Sequence, residues 1–437
     1  MIDFIDRFVE FWTPIIADGG IFKMFWYFFF LEIPRYLIFD VVVVLIEKIR
    51  RNIKSVREKR EDFRIKLFTE NPKVSVIVPG KNEGEHIYKL VESLKNQTYK
   101  NFELIIIDDG STDNTYQICT SLYKNGFINK YLRNNISGGK ASAANLGLKY
   151  ATGEYVVHLD ADSSLDTNAI EEIILPFFET PNVGAVGGNL KVRNRVNLLT
   201  NCQAMEYLTS ISIGRMVTSA LGIYRIVSGA FGAFRRDYLN LLGGWDIGPG
   251  LDGDITVKIR KMGYKIKFAE KSICLTHVPE TPKALTKQRL RWARSIIRFR
   301  LRKHKDILLP DRHFNVLNFI ATFENVFFSV IMDFLWVFYM ILLFVNFYDT
   351  YIYIVLFKIL MYSASTAIQL SVNLLISERR NWEKSIYYYI PLMWLYTGYY
   401  MRFVRTFAYI REVFGFSSYN DNWNPEKTSK MAKAYGL

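Results

Sequence analysis

The middle of the chain alternates short apolar runs with longer amphipathic stretches. Residues 74–78, 103–107 and 155–159 are largely apolar runs of strand length, and each is followed by proline, glycine or acidic residues. Residues 85–96 place apolar side chains at helical spacing. Strands that alternate with helices are typical of an open α/β sheet, which binds ligands beyond the carboxyl ends of its strands. The pattern therefore predicts an α/β domain over residues 72–300.

Longer apolar stretches flank this domain and are long enough to cross a bilayer. One precedes it at residues 22–46, and three follow it at about 324–346, 351–376 and 386–410. Three crossings after the domain would put the tail outside the cell, whereas arginines in and after the last stretch favour the cytoplasmic side. Two solutions stay open: residues 386–410 run partly along the membrane interface, or residues 314–346 contain an extra crossing.

Charged residues beside these stretches indicate which side of the membrane each segment faces. Residues 48–66 are rich in lysine and arginine and lead into the α/β domain, which predicts a cytoplasmic domain. The loop at 377–384 is also basic and is expected on the same side. Glu32, Arg35 and Asp40 interrupt the first apolar stretch. They either line a product path or form a pair within the helix while their side chains reach the interface.

The composition agrees with a soluble domain joined to a membrane scaffold. Hydrophobic residues make up 50% of the 437 residues, yet charged residues still reach 22%. The net charge is +14, and much of the basic excess lies beside the apolar stretches, which favours anionic lipid and a nucleotide diphosphate over nucleic acid as partners. Three scattered cysteines match neither a disulfide framework nor a zinc site, which predicts a reducing compartment.

Acidic and glycine-rich segments with candidate chemistry follow the predicted strands. Asp109 follows one strand, and Asp160 and Asp162 follow another. Two carboxylates separated by one residue can ligate a divalent cation, which in turn binds a diphosphate. Residues 138–140, Gly-Gly-Lys, offer backbone amides and an ammonium group to phosphates, although a simple turn explains them equally well.

A second group of candidate residues lies at helical spacing near the end of the domain. Gln288, Arg291 and Trp292 occupy positions i, i+3 and i+4. An indole can stack on a sugar ring while arginine neutralises a leaving diphosphate. The structural alternative is a helix with an exposed arginine and a buried tryptophan.

Together these segments resemble a family 2 glycosyltransferase of the processive kind, such as cellulose, chitin, hyaluronan and poly-N-acetylglucosamine synthases. The resemblance covers residues 72–300. It rests on segments that occur in the family's order: Val-Pro-Gly-Lys-Asn-Glu at 78–83, Asp-Asp-Gly-Ser-Thr-Asp at 108–113, Gly-Gly-Lys-Ala at 138–141, Asp-Ala-Asp at 160–162 and Gln-Arg-Leu-Arg-Trp at 288–292.

The resemblance implies roles for residues on the donor side. Glu83 and Asp109 would hold the uridine end of a nucleotide sugar, and Lys140 would meet the donor phosphates. Asp160 and Asp162 would hold Mg²⁺ or Mn²⁺, with Asp160 also contributing to substrate binding.

On the acceptor side, the resemblance implies that Asp252 is the general base. This sequence departs from the family's Thr-Glu-Asp there, because Gly250 and Leu251 precede the aspartate. Asp254 matches a further family acid and is a candidate substrate-binding residue. The remaining candidates for substrate binding are Ser228, Gly229, Gln288, Arg291 and Trp292. The segment around Ser228 and Gly229 is similar to that of poly-N-acetylglucosamine synthases, where it lies near the acceptor.

The implied fold is a GT-A-type, Rossmann-like glycosyltransferase domain inserted between membrane helices. We expect a membrane anchor with a basic segment at 1–71, the glycosyltransferase domain at 72–300, and interfacial and transmembrane helices with a short tail at 301–437.

The implied protein is a multi-pass enzyme of the inner (plasma) membrane, a metal-dependent hexosyltransferase with a cytoplasmic catalytic domain. It would polymerise UDP-N-acetylglucosamine or UDP-glucose into a β-linked extracellular polysaccharide, with inversion, and translocate the product. Its partners would be the donor, the growing polysaccharide, the bilayer, and a second copy or an accessory export subunit. The alternatives are a non-processive enzyme that glycosylates a lipid phosphate, and a transporter or scaffold with a degenerate domain; the intact aspartates argue against the last.

Overall fold

The computed structural model describes residues 2–246, 250–310, 314–377 and 379–420. Within them, eight strands form one mixed sheet in the spatial order β3-β2-β1-β4-β7-β6-β8-β5. In chain order, the strands are β1 (Val74–Gly80), β2 (Phe102–Asp108), β3 (Lys130–Arg133), β4 (Tyr155–Leu159), β5 (Ser164–Leu165), β6 (Val183–Val192), β7 (Phe231–Arg235) and β8 (Lys265–Thr276). The three predicted strands are therefore β1, β2 and β4, and the predicted α/β fold is confirmed.

Helices cover both faces of the sheet and extend from both ends of the domain. The helices before β1 are α1 (Ile2–Ala17), α2 (Gly20–Met24), α3 (Asp40–Asn52) and α4 (Lys54–Glu70). Those of the domain are α5 (Gly84–Lys95), α6 (Thr115–Lys124), α7 (Lys140–Tyr150), α8 (Ala169–Glu179), α9 (Leu198–Glu206), α10 (Gly214–Ala220), α11 (Arg236–Leu241), α12 (Leu251–Lys261) and α13 (Pro282–Ile296). The later ones are α14 (Val316–Val326), α15 (Met332–Asn346), α16 (Tyr351–Ile376), α17 (Arg380–Glu383), α18 (Ile390–Leu395) and α19 (Met401–Gly415).

Wider and tighter helical turns join several of these helices. The π-helical segments are Tyr27–Phe39, Tyr207–Ile213, Ile297–Lys303, Phe327–Ile331 and Tyr396–Tyr400. The 3-10 segments are Lys305–Leu308, Tyr348–Thr350, Lys384–Tyr389 and Ser417–Asn420.

The central strands are buried on both faces because helices cover both sides of the sheet. In β1, Val76 and Val78 point into one hydrophobic core and Ile77 into the other. In β2, Leu104 and Ile105 divide in the same way. This explains why the strands read as continuous apolar runs rather than as alternating ones.

Two helical segments of the described residues are long and apolar enough to cross a membrane, Val316–Asn346 and Tyr348–Ile376. They contain the predicted spans 324–346 and 351–376. The predicted spans 22–46 and 386–410 are not among them. Residues 22–46 change from α-helix to a π-helical segment after Phe25.

Charges in the N-terminal stretch pair with the C-terminal helices. Glu32 forms an ion pair with Arg402. Arg35 lies 2.5 Å from Asp40 and 2.7 Å from Glu324. Buried charges that are paired in this way are neutralised without water. The Arg35–Asp40 pair agrees with the predicted pair within the helix, and the other contacts join distant segments.

The basic run after this stretch attaches the N-terminal helices to the α/β domain. Arg60 and Arg64 of α4 reach the same buried carboxylate, Glu172 of α8, at 2.7 and 2.6 Å. Arg64 also contacts Glu171 at 2.9 Å. Part of the basic run therefore holds domains together, a use that the topological argument alone did not predict.

Candidate active site

The donor-side candidates converge because of the strand order. Glu83 follows β1, Asp109 follows β2 and Asp160 follows β4. These strands are parallel neighbours, with β1 between β2 and β4, so their carboxyl ends lie at one edge of the sheet. The structure thus brings together residues that are far apart in the sequence.

The Asp109 carboxylate organises the loop that carries the glycine pair. It accepts hydrogen bonds from the Asn134 amide at 2.8 Å and the Ser137 hydroxyl at 2.7 Å. The backbone N–H groups of Gly138 and Gly139 donate to it at 2.9 and 2.8 Å. Gly139 has a φ of 86°, which favours glycine at this turn. Asp109 therefore shapes the loop before Lys140, and its predicted contact with uridine stays a prediction.

Lys140 lies at the centre of the site, at the first residue of α7. Its Nζ is 2.5 Å from Asp160 Oδ1 and 3.5 Å from the carbonyl oxygen of Gly229. Burial disfavours the charged ammonium, but Asp160 and Asp252 outweigh this effect and raise the pKa of Lys140. The lysine therefore remains charged between the donor side and the acceptor side.

The carboxylates around Lys140 form a cluster that can accept a further cation. Burial, Asp162 and Asp160 raise the pKa of Glu83 to about 8. Burial and Asp160 raise the pKa of Asp162. Such shifts mean that the negative charges of the cluster are incompletely compensated.

Oxygen donors of this kind suit Mg²⁺ or Mn²⁺, so Asp160 and Asp162 fit the predicted cation. In the described part of the chain, no three histidine, cysteine or acidic side chains are arranged to hold a metal ion. Further ligands would have to come from the donor or from water.

Asp252 lies in the first turn of α12, close enough to Lys140 for their charges to interact. Its Oδ1 is buried without a hydrogen-bond partner. Burial raises the pKa of Asp252, while the nearby Lys140 and a hydrogen bond from the backbone of Gly229 lower it. A Cβ atom at Gly229 would lie only 2.2 Å from Asp252 Oδ1, so the aspartate needs glycine at that position. An aspartate with a free, buried oxygen has the character expected of a general base.

The segment with Ser228 and Gly229 is held beside Asp252 by a residue that the sequence analysis missed. The imidazole Nδ1 of His158 lies 2.5 Å from the carbonyl oxygen of Gly229. Burial and Lys140 lower the pKa of His158 to about 4, so the ring is neutral at neutral pH. The hydroxyl of Ser228 accepts from the N–H of Ala230 at 3.3 Å. A histidine inside an otherwise apolar strand was the available signal.

Asp254 is not brought into this cluster. Its carboxylate lies 2.7 Å from His304 Nε2, 2.9 Å from Lys303 and 3.4 Å from Lys258. His304 and the two lysines hold its pKa below the usual range against the opposing effect of burial. Asp254 and Asp252 are two residues apart on a helix and so point in different directions. Asp254 is therefore part of an ion cluster with His304 and two lysines, and its predicted contact with substrate stays a prediction.

The helix α13 carries Gln288, Arg291 and Trp292. Trp292 is 40% exposed, which contradicts the structural alternative of a buried tryptophan. The charge of Arg291 acts on Lys140 and so lies near the predicted phosphates. The Oε1 of Gln288 is buried and has no partner. Arg289, which the sequence analysis passed over, is buried and stacks on Trp292.

Comparisons with known proteins agree with this geometry. Residues 75–243 match the sequence profile described as Glycosyl transferase family 2. A mannosyltransferase from Pyrobaculum calidifontis, solved in complex with GDP-Man and Mn²⁺, superimposes with a TM-score of 0.55 and 18% identity over 86% of this chain and 99% of that chain. That similarity shows a shared fold. Residues 75–243 thus match the family that the sequence analysis predicted for the α/β domain.

Two curated relatives with the same name are similar to this chain. The chain is 36% identical over 222 residues to the poly-β-1,6-N-acetyl-D-glucosamine synthase of Staphylococcus epidermidis, covering 50% of this chain and 53% of that protein. It is 34% identical over 246 residues to the enzyme of the same name from Staphylococcus aureus, covering 56% and 58%. The chain thus matches somewhat more than half the length of these relatives. The predicted resemblance to poly-N-acetylglucosamine synthases is confirmed.

Proposed function

We propose that this protein is a membrane-embedded, inverting, processive glycosyltransferase that adds N-acetylglucosamine from UDP-N-acetylglucosamine to a growing β-linked polysaccharide. The observation that carries the proposal is the position of Lys140 between Asp160 on the donor side and Asp252 on the acceptor side. The names of the similar synthases support the choice of N-acetylglucosamine and of a β-1,6 linkage.

In this mechanism, Asp252 Oδ1 accepts the proton of the acceptor hydroxyl. The hydroxyl oxygen forms a bond to the anomeric carbon while the bond to UDP breaks on the opposite face, which inverts the configuration. Lys140 and Arg291 bind the departing diphosphate. Asp160 and Asp162 would hold Mg²⁺ or Mn²⁺, which supplies positive charge next to the diphosphate when bound. His158 keeps the Gly229 carbonyl in place and so keeps room for Asp252.

The acceptor chain would stack on the exposed ring of Trp292 and leave through the helices of residues 301–437 together with the N-terminal segment. A contact of the segment after α16 supports its location on the same side of the membrane as the catalytic domain. Glu383 of that segment forms a buried ion pair with Lys191 of β6 at 2.8 Å. Two crossings, by Val316–Asn346 and Tyr348–Ile376, would return the chain to that side.

The packing of the third predicted span favours its course along the interface. The hydroxyl of Tyr400 lies 2.7 Å from Thr286 Oγ1 of α13 and donates to the carbonyl oxygen of Pro282 at 3.1 Å. Arg302, after α13, contacts Glu412 of α19 at 2.6 Å. These contacts tie the segment to the catalytic domain, which we place on the cytoplasmic face of the plasma membrane.

The activity is tested with the purified protein in detergent, using radiolabelled UDP-N-acetylglucosamine and, in parallel, UDP-glucose. We expect UDP release and a polymer from the first donor that a β-1,6-specific hexosaminidase degrades. A labelled product that extracts into organic solvent, with no polymer, would contradict the proposal and identify a lipid acceptor.

Topology is tested separately in intact cells. A cysteine placed at Asp349, between α15 and α16, should react with a membrane-impermeant maleimide. Cysteines at Lys48 and Arg380 should react only after the cells are opened. The three native cysteines are buried, so background labelling should be low. Labelling of Arg380→Cys in intact cells would overturn the arrangement.

A further inference from the structure

Arg289 has an unusual environment within the Gln288-to-Trp292 segment. Its side chain is on α13 and is only 5% exposed. The guanidinium carbon lies 4.2 Å from the centre of the Trp292 ring, and Nη2 donates to Glu206 Oε2 at 2.8 Å. The guanidinium is therefore paired with one carboxylate and lies near two aromatic rings, with the Trp292 ring closer than the Tyr207 ring at 6.0 Å.

Glu206 connects this pair to the C-terminal segment. The hydroxyl of Tyr396 donates to the same Oε2 atom of Glu206 at 2.8 Å. Tyr396 is buried and begins the π-helical segment Tyr396–Tyr400, whereas Glu206 ends α9. Three elements that are distant in the sequence thus meet at one carboxylate oxygen.

This arrangement restrains the indole of Trp292 from one side. A guanidinium group is planar and stacks on an aromatic face, which an ammonium group cannot do. Glu206 holds the guanidinium in place, and Tyr396 holds Glu206. The opposite side of a half-exposed ring is then presented in a fixed orientation, which lowers the entropic cost of stacking a ligand on it.

We propose that Arg289, held by Glu206 and Tyr396, is a positioning residue that fixes the acceptor-stacking face of Trp292. The C-terminal segment would then complete the acceptor site rather than serve only as a membrane anchor. This inference rests on the proposed function, because it takes Trp292 as the platform for the acceptor sugar.

The test compares variants of the full-length protein with UDP-N-acetylglucosamine as donor and a β-1,6-linked N-acetylglucosamine tetramer as acceptor. Arg289→Lys keeps the charge but loses the planar stack, and Tyr396→Phe removes only one hydroxyl. Tyr400→Phe is the matched control, because its hydroxyl joins the same segment to α13 at Thr286 and Pro282 without touching Glu206.

We expect Arg289→Lys to raise the acceptor KM roughly two- to fivefold, the scale of a cation–π contact at a partly exposed ring and no more than the loss of Trp292 itself, and to shorten the polymer. Tyr396→Phe should raise the acceptor KM roughly two- to fivefold, as loss of one hydrogen bond does. For both variants, the donor KM, the affinity for UDP by calorimetry and the slow hydrolysis of the donor should stay within about twofold of wild type, since a merely structural defect would change all of them. Tyr400→Phe should behave as wild type.

An unchanged acceptor KM and polymer length in Arg289→Lys would overturn the inference. So would equal effects of Tyr396→Phe and Tyr400→Phe, because the cause would then be general packing. If Arg289→Lys does not yield a monodisperse protein, Tyr396→Phe and Glu206→Gln decide by the same criteria. Trp292→Ala separates the two levels: if it raises the acceptor KM while Arg289→Lys does not, only the positioning role fails. If Trp292→Ala also changes nothing, the acceptor platform of the proposed function fails.

Discussion

The proposed donor side and the proposed acceptor side of the site are built in different ways. On the donor side, Glu83, Asp109 and Asp160 each follow a parallel strand within a few residues, and the sheet alone brings them together. On the acceptor side, Trp292 depends on Arg289, whose partner Glu206 is 83 residues away in the sequence. Tyr396, which also contacts Glu206, lies 190 residues after it in the sequence. The sheet alone thus positions the donor-side residues, whereas the acceptor side forms only when distant segments of the chain pack together.

The two sides also differ in charge, and Lys140 joins them. The donor side concentrates carboxylates, and burial together with their mutual repulsion raises the pKa values of Glu83 and Asp162. The acceptor side pairs its acids with arginine or leaves one buried oxygen free, as at Asp252. A cation and a diphosphate should therefore bind to the first side, and a neutral sugar to the second. The predictions below test this division, from the largest expected effect to the smallest.

Removing the cation, or one of the carboxylates proposed to bind it, should nearly abolish sugar transfer. We expect EDTA, or the substitution Asp162→Asn, to lower transfer by roughly 1,000-fold, since a bound cation supplies several kcal/mol of charge stabilisation. Adding Mn²⁺ or Mg²⁺ should restore the EDTA-treated wild type but not the variant. Asp166→Asn is the matched control, because Asp166 pairs with Arg379 outside the cluster. Full turnover in EDTA would remove the metal from the mechanism.

Asp252→Asn should impair chemistry and leave donor binding intact. Loss of a positioned base costs about 100-fold or more in the rate of sugar transfer. Calorimetric binding of UDP should change little, because Lys140 and Asp160 remain. Near-normal polymer synthesis by this variant would show that another group accepts the proton.

Asp254→Asn serves as the comparison for that experiment. It breaks a buried ion cluster with His304 and Lys303 and should destabilise the fold by roughly 3 kcal/mol or more. We expect a lower Tm with largely retained transfer per folded molecule. If the variant keeps its Tm but loses sugar transfer, the result would favour the predicted role of Asp254 in substrate binding.

Glu83 should make cation binding depend on pH. Its pKa of about 8 means that it is protonated at pH 7 and becomes charged as the pH rises. Affinity for Mn²⁺, measured by calorimetry, should therefore increase between pH 6.5 and 8.5, by at most about tenfold per pH unit for one released proton. The cation-free protein should lose stability over the same interval, because the folded state binds more protons than the unfolded state. In Glu83→Gln, the rise in Mn²⁺ affinity and the loss of stability that Glu83 causes over this interval should disappear. If they persist, another group causes them.

Trp292→Ala should give the smallest of these effects and should be confined to the acceptor side. Loss of an aromatic stacking contact of roughly 1 kcal/mol corresponds to about a fivefold weaker acceptor interaction. Polymer should become shorter, while hydrolysis of UDP-N-acetylglucosamine to water should continue because Asp252 and the donor site remain. Product length on gels and UDP release should be recorded together. A polymer of unchanged length made at an unchanged rate would remove the best support for processivity.

The sequence by itself determined the α/β domain, its resemblance to family 2 glycosyltransferases and the position of the candidate donor-side residues beside its strands. It could do so because each of these residues lies next to a strand that its apolar pattern reveals, and parallel neighbours must end at the same edge. It also predicted four apolar stretches, and two of them, 324–346 and 351–376, lie in long apolar helices of the described residues.

Only the tertiary structure decided the contacts between distant segments. Asp254 and Asp252 look equivalent in the sequence, yet Lys303 and His304, some 50 residues later, draw Asp254 into an ion cluster. Residues 386–410 look like a single span, yet Tyr400 within them contacts Thr286 of α13. Arg289 looks like a spacer, yet its guanidinium lies over the ring of Trp292. Local patterns record whether a side chain prefers water or apolar surroundings, whereas the partner that satisfies a buried charge depends on how the whole chain folds.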